Sequence, residues 1–114
     1  MFLLIAHFQV GPAESSDQAL LDAAEPVRLL AEQPDTRMLR WARSTEDANR
    51  LVLVAEFDTA AGYRRAQSPL EVRRVLIPWL SGAEIATSGA FEVLTAGTGD
   101  RLWEPDITVP DPGR

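Results

Sequence analysis

The sequence predicts an α+β domain, a ferredoxin-like antiparallel four-stranded sheet with its helices on one face, and three observations carry that prediction. Strand-like and helix-period runs follow one another in the order strand, helix, strand, strand, helix pair, strand, which is the order of two split βαβ units. Two of the runs, residues 2–10 and 51–57, are apolar at nearly every position, as strands are when both faces of their sheet are covered. The 114 residues supply helices for only one face, so a second copy is the simplest cover for the other. The expected assembly is an obligate homodimer closed into a dimeric α/β barrel.

The elements follow in order. Residues 2–10 form a strand that ends at the turn signal Gly11-Pro12. Ser15 or Ser16 is placed to cap the next helix, with Asp17 favourably near its N-terminal dipole. Leu20, Ala23, Ala24, Val27, Leu30 and Ala31 give that helix one apolar face. Pro26 removes a donor and crowds the preceding turn, which predicts a kink or two short helices.

Gln33-Pro34-Asp35 breaks the pattern, and residues 36–43 then alternate, with Leu39 and Trp41 on one side and Met38, Arg40 and Ala42 on the other. The short polar loop 44–49 makes this strand and residues 51–57 an antiparallel hairpin. Asp58 or Thr59 caps a helical turn through Ala60, Ala61, Tyr63 and Ala66. Ser68-Pro69-Leu70-Glu71 has the spacing of a capping box with proline at the first helical position. Val72, Val75, Leu76, Trp79 and Leu80 form the stripe of that second helix, and Pro78 and Gly82 shape its end. A last strand is expected at about residues 90–95. The domain is drawn at 1–96 and an extended C-terminal tail at 97–114, whose Trp103 and Ile107 need cover that a second copy would provide.

Composition closes many routes to function. The chain has no cysteine, hence no disulfide, thiolate nucleophile or Cys-ligated metal, and its single histidine, His7, leaves no His-rich metal site. A formal charge of -6 opposes binding to a phosphate backbone, which needs a surplus of Lys and Arg. All 11 basic residues are arginine, as a codon bias toward G and C would produce. No apolar run approaches a membrane span and no signal peptide is visible, so a cytoplasmic location is the expectation.

The run Gln33-Pro34 before an Arg-rich strand, then Leu51-Val52-Leu53-Val54-Ala55-Glu56-Phe57-Asp58, Ala61-Gly62-Tyr63-Arg64-Arg65-Ala66, Val75-Leu76-Ile77-Pro78-Trp79-Leu80-Ser81 and Ala90-Phe91-Glu92-Val93-Leu94 resembles the antibiotic biosynthesis monooxygenase family of dimeric α/β barrels. The resemblance spans about residues 2–95. It implies a homodimer that oxidises a small aromatic polyketide or quinol-type substrate with molecular oxygen, without metal, haem or flavin. A deprotonated electron-rich ring reduces oxygen itself, so the protein need only exclude water, accept a proton and stabilise charge. Phe57 stands where the family commonly has tryptophan at the end of this strand: it keeps an apolar wall for substrate and lacks the indole donor.

His7 is the one side chain that titrates near neutrality unperturbed; it is read either as a proton acceptor or phenolate partner, or as a histidine bonded to backbone or lying at the dimer seam. Gln9 shares its face and its candidate site. Trp41 is a substrate wall or core. Tyr63 and Trp79 lie on the covering helices, where both are candidates to face a pocket between sheet and helices, Tyr63 with a hydroxyl for orientation or else as core. Arg40 and Glu56 are expected to form an internal salt bridge at the dimer interface. Arg64, Arg65, Arg73 and Arg74 read as a solvated helix surface. Two other functions stand beside the oxygenase: a non-enzymatic small-molecule-binding or accessory protein, and a polyketide cyclase or isomerase. A haem-degrading protein is disfavoured, because such proteins take their axial histidine from a helix and His7 is on a strand.

Overall fold

The computed structural model describes residues 1–11 and 16–109. Its elements are β1 (Phe2–Gln9), α1 (Ser16–Ala31), β2 (Thr36–Arg43), β3 (Arg50–Phe57), α2 (Ala60–Gln67), α3 (Leu70–Leu80), β4 (Gly89–Glu92) and the short strands β5 (Ala96–Thr98) and β6 (Arg101–Trp103). The main sheet has the order β2-β3-β1-β4, antiparallel throughout. This is the predicted ferredoxin-like sheet. No helix among the described residues is long and apolar enough to cross a membrane.

Register sorts the side chains of the sheet onto two faces. Leu4 and Ala6 of β1 stand opposite Ala55 and Leu53 of β3, and β3 passes the same parity to Leu39 and Trp41 of β2. This is the helix-covered face. Leu4, Ala6, Leu53, Ala55 and Phe57 are buried there with Leu29 and Leu30 of α1, Ala66 of α2, and Val72 and Leu76 of α3. The other parity carries Leu3, Ile5 and His7 of β1, Val52, Val54 and Glu56 of β3, and Met38, Arg40 and Ala42 of β2. These side chains are only half-buried or are exposed.

Several local expectations change. The helix α1 runs unbroken past Pro26. Pro26 and the following Leu29 and Leu30 are buried, so docking on the sheet holds the turn that loses its amide bond. Of the expected α1 cap, Ser15 and the Ser16 side chain lie outside the described residues. Thr59 caps α2 by accepting from the Gly62 amide at 2.9 Å. The capping box at α3 is not made: no side chain caps that helix. Ser68 instead donates its hydroxyl to the Arg65 carbonyl at 2.9 Å. With only two residues between the helices, it closes the one behind it.

The last strand is shorter than predicted, and the tail is not simply extended. Ala96–Thr98 and Arg101–Trp103 pair as a hairpin, with Arg101 over the Trp103 ring at 4.6 Å. The chain then returns to the sheet. Glu92 accepts from the Thr108 amide at 2.9 Å, the Thr108 hydroxyl at 3.0 Å and the Val109 amide at 3.1 Å.

Candidate functional site

A cavity of about 280 Å³ lies between the sheet and the helices, at the end of the sheet where β1 finishes and β3 begins; Phe8, Gln9, Asp22, Trp41, Trp79 and Gly82 are among its lining residues. Alternation puts Phe8 on the helix-facing side opposite Leu51 and Trp41 on the same side opposite Leu53. Trp79 comes down from the apolar stripe of α3. The three rings make one cluster. Phe8 and Trp79 stack at 4.6 Å and 24°, Phe8 meets Trp41 edge-on at 5.7 Å and 79°, and Trp41 meets Trp79 at 5.4 Å and 67°. All three separations fall in the favourable range for aromatic pairs.

Within this cluster the indole Nε1 of Trp41 is buried and has no acceptor among the described residues. A buried donor left without a partner costs about 1–3 kcal/mol. Asp22 brings a carboxylate to the pocket from α1, where it accepts from Gln18 Nε2 at 2.9 Å. Gln9 turns its amide toward the β2–β3 loop, donating to Asp47 Oδ2 and the Asn49 carbonyl, each at 3.3 Å. It thereby ties the end of β1 to that loop.

Of the residues singled out in the sequence, the structure brings Trp79 and Trp41 together; Gln9 borders the same cavity but shares the parity of His7 and turns its side chain to the β2–β3 loop, and the others lie apart. His7 lies on the opposite face from the ring cluster. Its amide donates to Ser88 Oγ at 2.9 Å and its carbonyl accepts from the Glu84 amide at 2.8 Å. It borders a separate recess with Ser44, Arg50 and Val52. Phe57 is wholly buried and meets Tyr63 edge-on at 5.4 Å and 83°. Phe57 lies four positions along β3 from Leu53, the register partner of Trp41, a distance of about 13 Å along a strand. Phe8 and Asp22 were not anticipated. The signal for Phe8 was parity: it is the neighbour of His7 and points the other way.

The expected pair between Arg40 and Glu56 is not formed within the chain. Arg40 stands opposite Val54 and Glu56 opposite Met38, so the two are diagonal, and the guanidinium turns back to the Leu39 carbonyl at 2.9 Å. Two carboxyl groups are held below the ordinary range, both away from the cavity. Asp35 is held there by its hydrogen bond from Arg65 and Glu92 by the Thr108 amide.

This α+β fold, a four-stranded antiparallel sheet with its helices on one face, is shared with structures named as antibiotic biosynthesis monooxygenases. A structure named as an antibiotic biosynthesis monooxygenase superposes with a TM-score of 0.61 at 18% identity, covering 96% of this chain and 100% of that one. SnoaB, a cofactor-independent oxygenase from Streptomyces nogalater, superposes at 0.61 with 17% identity, covering 96% and 97%. A conserved protein from Methanosarcina mazei Go1 does so at 0.62 with 10% identity, covering 92% of each chain. No family model matches the sequence, and no curated protein matches it. At these identities the likeness establishes the fold.

Proposed function

We propose that this chain is a monooxygenase that uses molecular oxygen without a cofactor on a small, flat, electron-rich aromatic substrate of the polyketide phenol, anthrone or quinol class. The observation that carries the reading is the cavity walled by Phe8, Trp41 and Trp79. Its volume lies just below the roughly 300–1,000 Å³ of drug-sized ligand pockets, which suits two or three fused rings. Substrate stacks on the aromatic wall and parts the rings, so that the Trp41 N–H finds its acceptor in the substrate oxyanion. Asp22 accepts the phenolic proton. The deprotonated ring then reduces oxygen: for an anthrone, the methylene carbon becomes a carbonyl, one oxygen atom enters the product and the other leaves as water.

Oxygen uptake with an anthrone or dihydroxynaphthalene tests this. One oxygen consumed per substrate, unchanged by chelators, is expected; no uptake across a panel of such substrates overturns it. A second reading, a binding or accessory protein, draws on the absence of His7 from the pocket. Saturable binding without oxygen uptake selects it, whereas turnover under nitrogen selects a cyclase or isomerase.

The assembly belongs to the same proposal. Leu3, Ile5, Val52, Val54 and Met38 form an apolar outer face, and Phe91 extends it beside Leu3. A second copy packed sheet to sheet covers it, giving the homodimer. Sedimentation equilibrium checks this, and a monomer at tens of micromolar refutes it.

A further inference from the structure

The outer face carries two charges that no described residue pairs with a counter-charge. Four ion pairs occur among the described residues, Arg28–Glu32, Arg37–Asp58, Arg50–Glu84 and Arg65–Asp35. Arg40 and Glu56 belong to none of them. Glu56 is half-buried between Leu3 and Met38, and its carboxylate accepts no hydrogen bond from any described residue. Arg40 is exposed on the neighbouring strand and reaches only the carbonyl of Leu39. Arg50, on the same face, is already engaged by Glu84.

Covering such a face with a purely apolar surface would strand both charges, which is strongly unfavourable. The cover must bring a cation to Glu56 and an anion to Arg40. The face itself has one unpaired charge of each sign, and in an isologous interface the same patch meets itself. We propose that Arg40 of one copy pairs with the partner's Glu56, and the reverse, so that two ion pairs set the register of the dimer. This rests on the homodimer reading above and adds what fixes its geometry.

The geometry is self-consistent. Leu3, Glu56 and Met38 form one row across the strands, and Ile5, Val54 and Arg40 form the next row on that face. A two-fold axis running across the strands at the level between these rows, near Leu4, Ala55 and Leu39, lays each row over the other row of the second copy. Leu3 then meets the partner's Ile5. Arg40 comes within one strand spacing, about 5 Å, of the level of the partner's Glu56, across sheets about 10 Å apart. A long guanidinium and a carboxylate span that gap. The level lies at the third residue of β1 and the sixth of β3, so residues 2–6 of β1 and 53–57 of β3 overlap between the copies while the row of His7, Val52 and Ala42 lies beyond the overlap.

Charge reversal distinguishes a pair between copies from one within a chain. Arg40→Glu and Glu56→Arg are each expected to weaken dimerisation by about a hundredfold or more, with far-UV circular dichroism unchanged. An equimolar mixture of the two variants restores opposite charges at both contacts and is expected to give a 1:1 heterodimer by native mass spectrometry. The double variant is expected to dimerise as well. Single variants that still dimerise like the parent overturn the pairing while leaving the homodimer intact. Recovery in the double variant without recovery in the mixture assigns the pair to a single chain and also overturns it. Recovery in neither refutes the pairing, and a monomeric parent protein refutes pairing and homodimer together.

Discussion

The two ends of the helix-covered layer are both aromatic, and they are built to opposite purposes. At one end Phe57 and Tyr63 meet edge-on, and Phe57 sits wholly buried in a core closed by Leu30, Val72 and Leu76. At the other, three rings pack against one another and still leave a cavity. The difference comes from the small neighbours. Gly11, Ala19 and Gly82 line the open end and offer too little volume to fill the space between β1, β3 and α1. Aromatic residues alone therefore do not mark the candidate site. Leftover space and the unmet indole donor of Trp41 do.

The sharpest way to break this contrast is to truncate one ring at each end. Phe57→Ala should lose about 3–5 kcal/mol of stability in urea unfolding, as large core deletions do. A loss below about 1 kcal/mol would show that this end is loosely packed too. Trp41→Phe should behave differently. Removing the unmet donor recovers about 1–3 kcal/mol and the smaller ring gives up a similar amount of burial, so stability should stay within about 1 kcal/mol. Turnover with an anthrone should nonetheless fall at least tenfold, about 1.4 kcal/mol in the transition state. Equal turnover would remove Trp41 from the chemistry.

Acid should disturb the tail and spare both ends. The Thr108 amide holds the Glu92 carboxyl below the ordinary range, so this contact is fully present above the unfolded carboxylate pKa of about 4.3. It is lost as pH falls through the lower folded value. The amide signals of Thr108 and Val109 should shift in an NMR titration below that pH, with the indole signals of Trp41 and Trp79 unmoved. Glu92→Gln should produce part of the same shift at neutral pH. A tail that stays in place through the titration would assign its docking to other contacts.

The sheet was legible because parity and turn chemistry are local. Period-two alternation separated Leu39 and Trp41 from Met38 and Arg40, and Thr59 was recognisable as a cap. The site was less legible, because residues 2–8 and 51–57 are apolar on both faces and nothing local says which face takes the helices. His7 drew attention as the only histidine, yet one step of parity puts Phe8 in the pocket and His7 outside it. Ser68 failed as a cap for α3 for a similar reason: its competitor, the Arg65 carbonyl at the end of α2, is visible only once the two helices are known to abut.

The smallest expected effect decides whether the filled end has any share in function. Tyr63 was attractive for its hydroxyl, but no hydrogen bond to that hydroxyl forms among the described residues, and the ring's packing against Phe57 depends on its face and edge rather than on the oxygen. Tyr63→Phe keeps that packing. Stability should change by less than about 0.5 kcal/mol, and oxygen uptake should match the parent protein in both kcat and KM. A drop in kcat with stability unchanged would place the Tyr63 hydroxyl in contact with substrate. The cavity at the Trp41 end would then have to extend under α2 when occupied, and the division of the layer into a filled end and a working end would fall.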